Sequence, residues 1–202
     1  MDKDNLSDSQ QENMEGWLRF CRDLGDQVQS LLDVNKMEEG NLVPQREMVN
    51  LAALIDGVMR QFTPVAEEKQ ISLSFPRLGE IPSIPVDHNL MRRVIANLLN
   101  NAIRHTPQGG AIQVAMNYLP EKGGLCLSVK DNGDGLAPHY HQKIFDKFEQ
   151  VKVKLEGSRV GSSGLGLTFC KMAVEAHGGK IWVESDGEGQ GCTFRSLLPV
   201  CS

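Results

Sequence analysis

The stretch DHNLMRRVIANLLNNAIRHTP, residues 87–107, decides the fold. Asp87 is a good N-cap, because its carboxylate can accept hydrogen bonds from the free amides of the first helical turn. Thr106 precedes a proline and is pushed out of the helical region, which ends the helix there. Apolar residues recur at intervals of three and four, as on the buried face of a helix, at Met91, Val94, Ile95, Leu98 and Ala102.

A polar stripe runs beside this apolar face. It contains Asn97 and Asn101, four residues apart, followed by Arg104 and His105. Asn is a middling helix former, so propensity does not explain two of them in this position. The stripe fits either an ordinary amphipathic helix or a ligand site, and the rest of the chain decides between them.

Composition restricts the classes of function. The chain has 202 residues, of which 40% are hydrophobic, enough for one domain of about 150 residues plus an appendage. A formal net charge of −5 argues against binding nucleic acid by charge. No apolar run approaches the roughly 18 residues of a membrane span, and the N-terminus lacks signal-peptide character. Five scattered cysteines without a CxxC pair indicate reduced thiols, so we expect a cytoplasmic protein.

The N-terminal region divides into two parts. Residues 1–10 are polar, and we predict that they are disordered. Residues 11–40 contain apolar positions spaced alternately three and four apart, which predicts a coiled-coil-like helix ending near Gly40. Its seam either pairs with another helix of the chain or dimerises. The seam consists of Met14, Trp17, Cys21, Leu24, Val28 and Leu31.

The remaining pattern mixes helices and strands without strict alternation, which favours an α+β fold. A helix is predicted from Asn50, with Pro64 as a possible kink, and others at residues 141–148 and 164–176. A proline-rich loop precedes Asp87. Strands are predicted at residues 71–75, 111–118, 125–129, 180–185 and 191–198.

Two glycine-containing loops are candidates for ligand contact. Residues 131–135, Asp-Asn-Gly-Asp-Gly, follow a strand directly, and a carboxylate there can accept from an exocyclic amine. An Asx turn would explain the same residues. Residues 161–167, Gly-Ser-Ser-Gly-Leu-Gly-Leu, lead into an apolar helix whose free amides would suit a polyphosphate. Neither loop is a P-loop or a dinucleotide fingerprint.

Taken in order, these segments resemble the ATP-binding domain of sensor histidine kinases, in the GHKL ATPase superfamily. The resemblance covers about residues 46–200 and extends upstream to residues 31–40, which are similar to the second helix of the family's dimerisation domain. It implies a two-layer α/β sandwich of the Bergerat type, with helices on one face of a mixed sheet. The family's N, G1, F, G2 and final glycine boxes are matched by residues 97–105, 131–135, 144–148, 164–167 and 189–194.

The resemblance also implies roles for single residues. Asn101 would coordinate Mg²⁺, with Asn97 supporting the same ion or its waters, and Arg104 would meet the ATP phosphates. His105 would stack beside the adenine, and Asp131 would accept from its amino group. Residues 146–163 would form a mobile lid. The further nucleotide contacts implied are Gly133, Gly135, Ser163, Gly164, Leu165, Gly166, Leu167 and Thr193.

Three departures from the family pattern matter. Ser162 stands where the family often has a glycine. Cys192 stands where related ATPases often carry a hydroxyl near the adenine. The five histidines, His88, His105, His139, His141 and His177, all lie in the ATP-binding region, so no phosphoacceptor histidine precedes residues 31–34.

The leading interpretation is the catalytic part of a histidine kinase that phosphorylates a histidine elsewhere, serves a response regulator and dimerises through its N-terminal helix. A non-catalytic ATP-sensing scaffold is the alternative. A GHKL hydrolase is a third reading, but hydrolases of this superfamily carry a glutamate base where this chain has Asn97.

Overall fold

The computed structural model describes residues 14, 17, 25, 28–29, 31–37, 39, 43–76, 81–119, 121, 123–149 and 164–200. The predicted disorder of residues 1–10 and the predicted helix end at Gly40 lie outside these residues, as do the seam residues Cys21 and Leu24. Every described residue from 14 to 37 is helical, and we label the continuous part, residues 31–37, α1.

Five strands form the main sheet: β2 (Ser72–Ser74), β4 (Ala111–Leu119), β5 (Gly124–Asp131), β6 (Lys180–Glu184) and β7 (Thr193–Pro199). Their spatial order is β2-β4-β5-β7-β6. The β2–β4 pair is parallel, and the other three pairs are antiparallel. The sheet is therefore mixed, as predicted.

Three helices cover one face of this sheet: α2 (Leu51–Glu68), α3 (His88–His105) and α4 (Gly166–Ala176). In β4, Ile112, Val114 and Met116 are buried, whereas Gln113 and Asn117 are exposed. Alternate side chains of a strand point to opposite faces, so one face of β4 is packed against the helical layer. The predicted two-layer α+β sandwich is confirmed, and structural neighbours described below share it.

Helix α3 has the ends that the sequence predicts. The Asp87 side chain accepts from the backbone amides of Asn89 and Leu90, both at 3.0 Å. Thr106 has an extended backbone and is the C-cap. The buried face is wider than predicted, since Leu90, Leu99 and Ile103 are also buried.

Two details of the predicted secondary structure differ from the observed structure. The proline-rich loop before Asp87 contains strand β3 (Ile84–Val86), which pairs with β1 (Glu47–Val49). Proline lacks an N–H, but a two-stranded ribbon has free edges where this lack is tolerated. The predicted helix at residues 141–148 is instead a pair of short 3-10 turns, Pro138–Tyr140 and Lys143–Phe145. Helix α2 agrees with the prediction of a helix that begins after Asn50, and it is continuous across Pro64.

The N-terminal helix contacts the helical layer through α1. Val34 is fully buried, and Asp33 forms an ion pair with Arg93 of α3. The Arg93 guanidinium also lies 4.1 Å from the ring centroid of Phe169 in α4, a cation–π arrangement. Arg93 therefore contacts both α1 and α4. None of the described helices combines the length and hydropathy that crossing a bilayer requires.

A buried histidine joins the end of α4 to the start of α3. His177 Nδ1 lies 2.7 Å from the carbonyl of Ala173, and Nε2 lies 2.9 Å from the amide of Asp87. A carbonyl only accepts and an amide only donates, so Nδ1 carries the proton and Nε2 accepts. Both bonds require the neutral ring. Burial, the largest effect, lowers the pKa of His177 from its ordinary value.

This geometry predicts a pH-dependent stability. Because the folded state depresses the pKa of His177, the unfolded chain takes up its proton first as the pH falls. The free energy of unfolding should therefore be highest above about pH 6.5 and decrease as the pH falls through and below that value. Denaturant titrations between pH 7.5 and 5 measure the slope.

The variant His177→Gln should be less stable at pH 7.5 and should lose this part of the slope. His88→Gln is the matched control, because His88 is exposed on the first turn of α3. This variant should keep the wild-type dependence of stability on pH. An unchanged slope in His177→Gln would assign the effect to another group.

Candidate functional site

Asp131 lies at the end of β5 and points towards the helical layer. It follows Leu125, Leu127 and Val129 at two-residue intervals, and these side chains are buried under the helices. Asp131 is only 4% exposed. Its Oδ1 accepts from the backbone amides of Gly133 at 2.9 Å and Cys192 at 3.2 Å. Within the described part of the chain, no donor reaches its second oxygen, Oδ2.

The electrostatics of Asp131 suit a binding contact. Burial is the largest effect and raises the pKa of Asp131, and the two amides on Oδ1 oppose this rise. A carboxylate withdrawn from water interacts strongly with any donor that reaches it, because it has lost competing solvent. The Oδ2 atom can therefore accept a hydrogen bond from a ligand.

The loop after Asp131 approaches two other segments so closely that its glycines are required. A Cβ on Gly133 would overlap the backbone carbonyl of His105, at the end of α3. Gly135 has a φ of +69°, and a Cβ there would overlap the carbonyl of Gly187. The Asp131 loop is consequently packed between α3 and the loop that precedes β7.

His105 is joined to the same loop by two contacts. Its ring Nδ1 lies 3.0 Å from Oδ2 of Asp134, and its carbonyl accepts from the Asp134 amide at 3.1 Å. The side chain of His105 remains 40% exposed. The structure therefore places His105 beside the Asp131 loop with an accessible ring, in a position compatible with the predicted stacking. Sequence alone did not predict Asp134 as the partner of His105.

The two asparagines of the polar stripe are half-buried on one side of α3. Gly166, the first residue of α4, is close to Asn97, since a Cβ on it would lie 3.6 Å from Asn97 Oδ1. Leu165, the N-cap of α4, makes no side-chain capping bond, so its own side chain does not satisfy the first amides of the helix. The start of α4 and the polar stripe of α3 thus adjoin.

A buried thiol lies beneath this junction. Cys170 of α4 is fully buried, and its Sγ donates to the carbonyl of Val94 at 3.7 Å and contacts the Asn97 side chain. Burial raises the pKa of this thiol to about 12. Cys170 is accordingly a neutral group that packs against the Asn97 side chain on the core side of α3.

Other predicted site residues have different positions. Arg104 is exposed on the last turn of α3, Leu165 is buried, and Leu167 packs against the core. Gly164 has a φ of +66° and contacts the backbone of Phe148. Most of the predicted lid, residues 150–163, lies outside the described residues and includes Ser163.

Thr193 is not beside the Asp131 carboxylate in the structure. It pairs in register with Lys130 and Glu184, whose exposed side chains lie on the face without helices. The neighbouring Cys192 makes the contact with Asp131, through its backbone amide. Burial raises the pKa of the Cys192 thiol to about 11, so that thiol is protonated at neutral pH.

The residues fit a metal ion that is coordinated mainly by water and by a bound phosphate, with few ligands from the protein. Among the described residues, no group of three or more His, Cys, Asp or Glu side chains could hold an ion. Mg²⁺ commonly takes only one or two protein oxygens and completes its shell with water and phosphate. The amide oxygens of Asn97 and Asn101 match that requirement.

The chain is similar to known proteins in both sequence and structure. The family model described as "Histidine kinase-, DNA gyrase B-, and HSP90-like ATPase" matches residues 86–201. The alginate biosynthesis sensor protein KinB of Pseudomonas aeruginosa is 34% identical over 173 residues, which are 86% of this chain and 28% of KinB. The chain spans less than a third of the length of this and the next curated relatives.

Two solved structures share the fold. Full-length ShkA in complex with AMPPNP has a TM-score of 0.79 at 25% identity, and the match covers 98% of this chain and 40% of ShkA. The catalytic domain of the histidine kinase ThkA has a TM-score of 0.67 at 26% identity and covers 78% of this chain and 97% of that domain. The likeness thus includes both the sheet and the helices of the candidate site.

The close approach of Gly133 to His105 yields a test of the site architecture. Gly133→Ala should destabilise the fold by about 2 kcal/mol or more, because the added methyl group would collide with a backbone carbonyl that cannot rotate away. Thermal unfolding measures the loss.

Gly57→Ala is the matched control, since the nearest atom to its Cβ is the end of the flexible Arg60 side chain at 3.8 Å. This helical change should be neutral or stabilising by about 0.5–1 kcal/mol. Equal effects of both substitutions would contradict the tight packing of Gly133 against α3.

Proposed function

The chain belongs to the family of histidine kinase-, DNA gyrase B- and HSP90-like ATPases, and we propose that it is the catalytic ATP-binding portion of a two-component sensor histidine kinase. In this proposal residues 46–200 form the ATP-binding domain, and residues 11–40 contribute to a dimerisation domain. The observation that carries the proposal is the buried Asp131, whose Oδ1 is occupied by backbone amides while Oδ2 is left for a ligand.

The adenine is recognised by Asp131. Its Oδ2 accepts from the exocyclic amino group, and the burial of the carboxylate excludes the water that would compete for this bond. His105 stacks beside the base, supported by its contact with Asp134. Gly133 and Gly135 are needed because the backbone passes close to α3 and to Gly187 on either side. A guanine would present a keto oxygen to Asp131 and would be rejected.

The phosphates bind where α3 and α4 adjoin. Asn101 would hold Mg²⁺, and Asn97 would hold the same ion or its waters. The first amides of α4, together with Gly164 and Gly166, face the negative charge, which the positive end of the helix dipole favours. Arg104 supplies a further cation. A Mg²⁺ ion held there would supply neutralisation of charge on the phosphates.

The reaction is transfer of the γ-phosphoryl group to a histidine that is not among the five of this chain. A nitrogen of the acceptor imidazole bonds to the γ-phosphorus, the bond to the β-phosphate oxygen breaks, and ADP leaves. Positioning and charge neutralisation supply most of the catalysis in such transfers. Hydrolysis is disfavoured because α3 contains no acidic side chain that could take a proton from water.

The N-terminal helix is the proposed dimer contact. The described seam residues Met14, Trp17, Val28 and Leu31 are all exposed, with Trp17 at 68%. An exposed apolar row with heptad spacing is typical of a helix that pairs with another copy. A response regulator is the proposed partner that receives the phosphoryl group, and a cytoplasmic location is proposed with it.

Base selectivity tests the recognition step. Asp131→Ala should weaken ATP binding about 10- to 150-fold, since a hydrogen bond to a charged group is worth roughly 1.5–3 kcal/mol. Asp131→Asn should lower the preference for ATP over GTP further, because its amide NH₂ would donate to the guanine keto oxygen and oppose the adenine amine. Calorimetry with both nucleotides gives the affinities.

The exposed Asp186 provides a matched carboxylate control, and Asp186→Ala should bind ATP as the wild type does. Wild-type protein that binds ATP and GTP equally would remove Asp131 from the base pocket.

Phosphotransfer tests the reaction. Incubated alone with γ-labelled ATP and Mg²⁺, the chain should bind the nucleotide yet acquire no acid-labile, base-stable phosphohistidine. When a panel of purified phosphoacceptor-helix domains is added, the chain should phosphorylate at least one of them in trans. The Asn101→Ala variant should not phosphorylate that domain.

Each other outcome has a separate meaning. Acid-labile label on the chain alone would show that one of its five histidines is the acceptor. Rapid phosphate release without an acceptor would indicate a hydrolase. Tight ATP binding without transfer to any domain of the panel would favour a non-catalytic ATP-sensing scaffold.

A further inference from the structure

The side chain of Ser185 joins two segments of the candidate base pocket. Ser185 follows β6 directly, so the sheet determines the position of its hydroxyl. Its Oγ accepts from the backbone amide of Leu136 at 3.0 Å and lies 2.7 Å from the carbonyl oxygen of Gly191. Leu136 ends the Asp131 loop, and Gly191 belongs to the loop before β7. One hydroxyl therefore connects both loops.

The hydroxyl has a single proton, and the distances indicate where it goes. The carbonyl of Gly191 is nearer, at 2.7 Å, than the carbonyl of Gly187, at 3.3 Å. Because O–H···O bonds are strongest near 2.7 Å, Ser185 donates to Gly191. The same oxygen accepts from Leu136 and, at 3.4 Å, from the Gly187 amide.

The bond to Gly191 orients a peptide group that contacts Asp131. The carbonyl of Gly191 and the amide N–H of Cys192 belong to one planar peptide unit and point in opposite directions. Ser185 holds the carbonyl end, while the N–H end donates to Asp131 Oδ1 at 3.2 Å. The unit cannot rotate without breaking one of these bonds. Gly191 itself permits no side chain, since a Cβ would overlap the carbonyl of Asp131.

We propose that Ser185 is a positioning residue for adenine recognition: through the Gly191–Cys192 peptide it holds the Asp131 carboxylate so that Oδ2 faces the exocyclic amine. This proposal rests on the proposed ATP-binding function and adds a residue that contacts no part of the nucleotide. The physical reason is pre-organisation, because a carboxylate that is already oriented loses less freedom when the ligand binds.

The test compares ATP with purine riboside triphosphate, which lacks the 6-amino group. The ratio of their dissociation constants measures the contact to Asp131 alone, since all phosphate and ribose contacts are shared. In Ser185→Ala this ratio should fall by about 2- to 10-fold, the effect of a typical net hydrogen bond. A residue that only supports the fold would weaken both nucleotides equally and leave the ratio unchanged.

Two variants serve as controls. Ser185→Thr keeps the hydroxyl and should retain most of the wild-type ratio. Ser196→Ala removes a serine hydroxyl from β7 that is fully buried and finds no hydrogen-bond partner among the described residues. It should leave the ratio unchanged, which separates loss of the Ser185 bonds from loss of a serine hydroxyl elsewhere in the sheet.

A double-mutant cycle tests whether Ser185 acts through Asp131. Once Asp131 is replaced by Ala, adding Ser185→Ala should not change the ratio any further, because the group that it positions has gone. Additive effects on the ratio would overturn the proposal. A ligand-free readout is the NMR titration of the Asp131 carboxyl carbon. Ser185→Ala should raise its pKa further, since the Cys192 amide would stabilise the ionised form less.

Failure of this inference can be distinguished from failure of the proposed function. If the wild type binds neither nucleotide, the proposed function is wrong, and the inference falls with it. If the wild type prefers ATP and Ser185→Ala keeps that preference and the same Asp131 pKa, only the role of Ser185 is refuted.

Discussion

Burial of the apolar face of α3 is the constraint on which the rest of the structure depends. Eight side chains of this helix are buried, and the helix packs against α2, α4 and the sheet. Each fully buried aliphatic side chain contributes about 1.5–3 kcal/mol, so this one helix accounts for a large part of the core. The same packing fixes the rotation of α3 about its axis and leaves the polar stripe at the edge of the core.

The candidate site is assembled mainly by backbone contacts between loops that lie far apart in the sequence. The Asp131 loop bonds to the end of α3 through Asp134 and His105, and to the loop before β7 through the Cys192 amide and Ser185. These contacts demand glycine where chains approach closely. Glycine here is a steric requirement at Gly133 and Gly135, and flexibility is not needed to explain it.

The contact of α1 with α3 joins the N-terminal helix to the helical layer, which also carries part of the candidate site. Arg93 pairs with Asp33 of α1 and lies over the Phe169 ring of α4, three residues after Gly166. Removing one partner of a partly buried ion pair is costly, because the remaining charge is left uncompensated. Arg93 therefore links α1 to α4, whose first residue adjoins Asn97.

Periodicity in the sequence determined α3, its Asp87 cap and the α+β class, because these follow from local hydrogen bonding and from which side chains avoid water. Ordered motifs predicted the site residues. The β1–β3 ribbon and the 3-10 turns were missed, since local rules do not include the tertiary contacts that form them. Leu90, Leu99 and Ile103 are buried because α3 has neighbours on both sides. The contacts of Ser185 and Asp134 arise only when distant loops meet, so the tertiary structure alone decided them.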